Sequence, residues 1–281
     1  MPLMMKNYSV KKLIDLPFYT EGPSVDRDGN FFFSTLTGGF IGKIDKEGKY
    51  TKWATGSCPN GQVILPDHEH WSCDSKQAGI SRYDASGKFT GYIIQYQWAG
   101  FSVSSPNDLV IDKHQNLYFT DSIRHEGKVF FKGHEGKELL VAGNIDYANG
   151  LALSPDEKYL YVAESYQNRI LVIELSEPGI AKNKPEVFAR LPCHLSGKIT
   201  DNLPDGLAVD ADGKLWVAHY GMGAIQILSS DGNLLFTIDT VLPLTSNLCF
   251  VEENGSCQVL LVTGGYDEPG PGAVLLITVD H

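Results

Sequence analysis

The sequence predicts an all-β fold, a six-bladed propeller of four-stranded antiparallel sheets, and three observations carry that expectation. Six stretches of similar pattern recur along 281 residues. Their leading residues, Glu21, Asn60, Asn107, Asn149, Asp205 and Asn247, are separated by 39, 47, 42, 56 and 42 positions, the period of a four-stranded blade. The chain carries 29 Gly, 14 Pro, 13 Phe, 13 Tyr and 4 Trp, and no long segment repeats its apolar residues at helical spacing. Short β-rich runs bounded by Asp/Gly turns take the place of helices.

The unit is clearest between Leu203 and Gln226. Pro204 precedes Asp205-Gly206, then comes the apolar run Leu207-Ala208-Val209, the turn Asp210-Ala211-Asp212-Gly213, and the second run Leu215-Trp216-Val217-Ala218. Two apolar runs joined by such a turn read as a hairpin, and the proline keeps the preceding chain out of a helix. The same order appears after Glu21, Asn60, Asn107 and Asn149, and in degenerate form after Asn247. Third strands are expected at residues 41–44, 80–83 and 225–228, and a fourth at 234–238. The last unit runs out after its third strand, residues 273–279. Since a free sheet edge is a liability, the strand-like residues 8–13 are expected to complete that blade and close the ring. Residues 177–202, rich in Pro and Gly, account for the longest spacing and read as a long loop. One domain, residues 1–281, is expected.

Net charge is −11, from 23 basic and 34 acidic residues, which argues against nucleic acid or anionic lipid as a partner. No run approaches the roughly 18 to 20 apolar residues of a membrane span, and the N-terminus lacks the pattern of a secretory signal. A soluble, cytoplasmic protein, a monomer or weak homo-oligomer, is expected. Cys58, Cys73, Cys193, Cys249 and Cys257 show no paired framework and read as reduced and structural.

The innermost strand of each blade lines the central channel, so the six leading residues form one ring. Each is a carboxylate or carboxamide. Turn preference explains any single Asn or Asp, but not all six, and Glu21 least. Two carboxylates at one mouth repel unless a positive charge lies between them, and no ring position is basic. All-oxygen donors suit a hard divalent cation, Ca²⁺ foremost with Mg²⁺, Mn²⁺ and Zn²⁺ as alternatives, and the absence of Cys and His argues against a dedicated zinc site. A second, wider set ends the second strands: Thr35, Asp74, Asp121, Glu164, His219 and Gly264. Among these Asp121 is the candidate for substrate hydroxyls. His219 reads as a proton shuttle or a wall residue, and Arg124 and His125 follow Asp121 in a loop that approaches the same face.

These units resemble the senescence marker protein (regucalcin) and gluconolactonase family over nearly the full length. The resemblance rests on Glu21-Gly22-Pro23, Ser105-Pro106-Asn107-Asp108-Leu109 with Leu117-Tyr118-Phe119-Thr120-Asp121, Asn149-Gly150-Leu151-Ala152 with Leu160-Tyr161-Val162-Ala163, and Pro204-Asp205-Gly206-Leu207-Ala208-Val209-Asp210. It implies one divalent ion at Glu21, Asn149 and Asp205, with Asn107 as a further ligand or substrate contact. The ring also looks like that of paraoxonases and diisopropylfluorophosphatase. The expected activity is metal-dependent opening of a small lactone, with Asp205 as general base, Asn107 on the carbonyl oxygen, and Asp121, His219 and Tyr220 orienting the substrate. An aryl-ester or phosphotriester hydrolase and a non-catalytic calcium-binding or interaction propeller are the alternatives.

Overall fold

In a computed structural model, which describes residues 3–4, 7–254 and 257–280, six antiparallel sheets surround a central channel. The chain is a six-bladed propeller. Blade 1 contains Thr20–Val25, Phe31–Thr35, Phe40–Ile44 and Tyr50–Thr55, from channel to rim. The inner strands of the following blades are Pro59–Ile64, Pro106–Ile111, Ala148–Leu153, Leu203–Val209 and Leu244–Asn254. Among the described residues, helix is confined to three short 3₁₀ turns, and no helix is long and apolar enough to cross a membrane.

Alternating side chains build the core. In Leu215–Tyr220, Trp216 and Ala218 pack toward blade 6 while Leu215 and Val217 pack toward blade 4, the two-residue period of a strand buried on both faces. Every neighbouring pair of blades shares one such apolar cluster. The hairpin turns are specific too: Asp210 accepts the Lys214 amide at 2.8 Å and the Trp216 indole N–H at 3.0 Å, while Gly213 takes the positive φ of 79° that the turn requires.

Ring closure follows the strand count. Tyr8–Leu16 pairs antiparallel with Gly272–Asp280, from Tyr8 opposite Val279 to Leu16 opposite Gly272, and so supplies the rim strand of blade 6. Leu3–Met4 adds an unanticipated parallel pairing on the rim of blade 5. One expectation is corrected: residues 177–202 are not all loop. Glu186–Arg190 pairs with Arg169–Glu177 as the rim strand of blade 4, and Ile180–Ala181 pairs with the same strand; residues 191–202 remain a connection, which contains the turn Ile199–Asp201. Rim strands are half-solvated and short, so Glu186–Arg190 buries only Ala189 fully and shows too little apolar pattern among the surrounding prolines.

Blades 1 and 2 enclose a histidine. His70 is 1% exposed, its ring 4.2 Å from that of Trp53 and 4.5 Å from that of Phe32. Burial in this aromatic slot lowers its pKa to about 3. The unfolded chain therefore binds the proton first, and stability is lost as pH falls below about 6.5 toward 3. Urea midpoints measured between pH 7.5 and 5 should show His70→Phe less acid-sensitive than the wild type, the difference reaching about 2 kcal/mol at pH 5. Parallel pH curves for the two proteins would refute a buried neutral imidazole.

Candidate functional site

All six inner strands break register at the same height. The pairing with the second strand shifts between Glu21 and Ser24, Pro59 and Gln62, Pro106 and Leu109, Ala148 and Leu151, Pro204 and Leu207, and Thr245 and Asn247. Each bulge contains or adjoins a ring residue, and a bulge re-aims the side chain it carries. The residue after the ring position shows why small groups are needed there. A Cβ on Gly22 would lie 2.2 Å from the Asn60 carbonyl oxygen, one on Gly150 2.2 Å from that of Asp205, and one on Gly206 2.0 Å from Asn247 Oδ1. The inner strands are in backbone contact around the channel, which brings their ring side chains to a common mouth.

Blade 3 departs from this rule: where the others carry Gly or Leu after the ring residue, it carries Asp108. Its carboxylate is 8% exposed, accepts the Leu109 amide at 2.9 Å, and takes a 3.3 Å hydrogen bond from Asn247 Nδ2 on the opposite side of the channel. The far side of the channel opens into a cavity of about 450 Å³ whose lining includes Gln62, Asp108 and Asn247.

Three buried carboxylates thus share one electrostatic environment. Glu21 is 4% exposed and Asp205 8%. Desolvation raises Glu21 to about 8, with the charges of Asp108 and Glu268 adding to it, against hydrogen bonds from the Gly22 amide and Asn247. Desolvation also drives Asp205 well above the carboxylate range, followed by the charges of Glu21, Asp108 and Glu268, while Asn149 hydrogen-bonds it in opposition. Asp108 rises to about 6 by burial. Asn149 Nδ2 donates to Ser165 Oγ at 3.2 Å, and Ser165 in turn donates to the Pro204 carbonyl at 2.7 Å, so the amide is braced between blades 4 and 5. The Oδ1 atoms of Asn60 and Asn149 are buried without partners. Acceptor oxygens, two of them orphaned, face carboxylates that repel one another and no ring residue is basic. That donor set fits a hard divalent cation.

Asn107 is half-buried in its bulge, while Tyr220 is half-buried with its ring 6.3 Å from that of Tyr19. The wider set has another task. Asp121 Oδ1 accepts the Ser104 and Ser105 amides at 3.0 and 2.5 Å, and Asp74 accepts those of Ser57 and Cys58 at 2.7 and 3.0 Å. Glu164 takes the Asp146 amide at 2.8 Å and pairs with Arg169. These carboxylates fasten the loops that lead into the inner strands. Asp121 is 1% exposed and His219 0%, buried like most of the ring residues, and Asp121 Oδ2 and His219 Nε2 are without hydrogen-bond partners. Burial lowers His219 to about 3, and it is neutral at physiological pH, which does not suit a proton shuttle. Arg124 pairs with Asp146 at 2.8 Å and lies over the Tyr166 ring; His125 lies 3.3 Å from the same carboxylate.

The sequence reading missed Asp108, Glu268, Tyr19 and Tyr147. The first was legible as the acid standing where other repeats have Gly or Leu. The tyrosines stand two residues before ring positions Glu21 and Asn149; the Tyr19 hydroxyl is buried without a partner, and burial and Asp205 raise both phenols. A separate group, Asp26, Asp28 and His68, has ligand atoms within 4.8 Å of one another. It lies at the turns on the opposite face of the disc and is unrelated to the ring.

Comparisons with known proteins agree with this architecture. The chain is 28% identical to a protein named lactonase drp35 from Staphylococcus haemolyticus (strain JCSC1435) over 287 residues, covering 96% of this chain and 85% of the relative. Among solved structures, a gluconolactonase from Xanthomonas campestris superposes with a TM-score of 0.81 at 24% identity, covering 97% of this chain and 90% of the other. Regucalcin from Agrobacterium tumefaciens strain C58, described as a calcium-binding protein, gives a TM-score of 0.78 at 21% identity, with 99% and 97% covered. These two likenesses carry the fold. Residues 19–263 match the family described as SMP-30/Gluconolactonase/LRE-like region, and with that match over most of its length the chain belongs to this family.

Proposed function

We propose that the protein, acting as one domain over residues 1–281, is a divalent-cation-dependent hydrolase that opens a small lactone. The observation that carries this reading is the convergence of Glu21, Asp205 and the unpartnered Asn149 oxygen at one channel mouth; the name of the drp35 relative supports the reaction class.

Glu21, Asn149 and Asp205 would hold the cation, with Asn107 beside them as a ligand or substrate contact, and Ca²⁺ is the favoured ion. When bound, the cation supplies positive charge to offset Glu21 and Asp205 and Lewis-acid activation of the lactone carbonyl and of water. Water then adds to the acyl carbon as Asp205 accepts its proton at a carboxylate oxygen. The Asn107 amide N–H₂ donates to the carbonyl oxygen as negative charge develops there. Collapse breaks the acyl carbon–ring oxygen bond, the ring oxygen leaves with a proton, and a hydroxy acid results. Half-buried Tyr220, at the mouth beside Tyr19, is a substrate contact. The chain has no GxSxG elbow, so no acyl-enzyme is invoked.

Cation binding stabilises the fold by linkage, because the ligands are dispersed in the unfolded chain. Chelator-treated protein should melt at a lower temperature than protein in excess Ca²⁺, the difference corresponding to about 2.7 kcal/mol at a hundredfold excess over Kd. Glu21→Gln should abolish the difference. Melts indifferent to chelator and to Ca²⁺, Mg²⁺, Mn²⁺ and Zn²⁺ would remove the cation from the account.

Activity is tested by proton release on a panel of sugar lactones, aliphatic lactones, aryl esters and phosphotriesters with each cation. Lactones should be the preferred class, and Asp205→Asn should lower their turnover by roughly 10² to 10⁴, the range of a lost general base. Full activity in Asp205→Asn contradicts its role. Cation binding with no turnover on the whole panel would instead favour a calcium-binding propeller, as the structurally similar regucalcin is described.

A further inference from the structure

The buried ring acids leave one further carboxylate at the mouth. Glu268 lies in the blade 6 connection between Cys257–Gly265 and Gly272–Asp280 and is exposed, whereas Glu21, Asp108 and Asp205 are enclosed. Its connection is fastened on both sides. The Tyr19 amide donates to the Pro269 carbonyl at 2.9 Å, Thr37 Oγ1 to the same oxygen at 3.3 Å, and the Tyr266 amide to the Pro271 carbonyl at 2.9 Å. The Glu268 amide itself donates to Asp267 Oδ1 at 2.9 Å.

This bracing sets the Glu268 connection beside Tyr19 and hence near Tyr220, and Tyr220 and Glu268 each shift the other's protonation. Its charge is felt at Glu21, Asp205 and Tyr147. Among the described residues no Lys or Arg pairs with it. A carboxylate accepts through about four lone-pair directions, more than one neighbouring phenol can fill.

We propose that Glu268, on a connection braced by Tyr19 and Thr37, is a specificity-determining residue that accepts a hydrogen bond from a hydroxyl of the substrate. The inference rests on the lactone reading of the site. Three chemical alternatives meet this carboxylate differently. An anionic group is repelled by it and by the ring acids behind it. An apolar group placed against it strips water from lone pairs that nothing then satisfies. A hydroxyl donor satisfies them, and a site that spends a polar group in this way discriminates against the analogue that lacks the donor. Glu268 thereby separates a hydroxylated lactone from an unsubstituted ring at the same catalytic centre. Because it meets a part of the substrate that does not react, its loss raises KM and leaves kcat nearly unchanged.

The test compares wild type, Glu268→Ala and Glu268→Gln, all Ca²⁺-loaded and checked for unchanged melting temperature, on D-glucono-δ-lactone and δ-valerolactone. Glu268→Ala should lose about 10- to 100-fold in kcat/KM on the hydroxylated lactone, mostly through KM, while δ-valerolactone changes by less than about twofold. Glu268→Gln, which keeps an acceptor oxygen, should fall between. Equal losses on both substrates, or none on either, overturn the proposal. Should the wild type hydrolyse neither lactone, the lactone reading fails. Glu268 is then judged by the melting shift that D-gluconolactam, a hydroxylated and non-hydrolysable ring, gives to wild type and Glu268→Ala: a smaller shift in the variant supports the residue's role, and equal shifts refute it.

Discussion

The constraint on which the structure depends is the close approach of six inner strands around one channel. Backbone contact at Gly22, Gly150 and Gly206 leaves no room for a Cβ, and six register shifts at one height re-aim the side chains beside them. Apolar clusters between the blades hold the strands at that distance. Together they concentrate acidic oxygens more closely than the acids would choose, and the shifted protonation of Glu21, Asp108 and Asp205 records the conflict.

Two layers of polar residues divide the work. The inner layer, Glu21, Asn149, Asp205 and their neighbours, is braced by partners that leave acceptor oxygens free: Ser165 takes the Asn149 amide, and Asn247 spans the channel to Asp108. In the outer layer Asp74 and Asp121 each accept two loop amides, and Glu164 accepts one and pairs with Arg169, while Asp121 Oδ2 is buried without a partner. A carboxylate that accepts two backbone donors fastens the loop that carries them.

That division explains what was legible from sequence. The repeat period predicted blade number, and the missing last strand predicted closure by residues 8–13, which lie in the observed closing strand Tyr8–Leu16, because both follow from counting. Ring positions were legible because all six are polar where strands should be apolar. For Asp121 and His219 the end of a second strand reveals only which face of the disc is reached; the direction of the side chain depends on a loop arriving from the previous blade. Glu268 was illegible for the same reason: its place at the mouth comes from hydrogen bonds to Tyr19 and Thr37, more than two hundred positions away. The rim strand Glu186–Arg190 was hidden by its exposure.

The central claim is that crowding at the ring keeps a proton on carboxylates that a cation would relieve of it. Metal ligands must be deprotonated, so binding should expel that proton. Calorimetric titration of Ca²⁺ into the metal-free protein at pH 7, in buffers of differing ionisation enthalpy, reads the protons released directly. With Glu21 raised to about 8 and Asp205 well above its ordinary value, the account predicts release of about one proton or more per ion bound, reduced in Glu21→Gln. Binding at the ring with heats independent of buffer would contradict it.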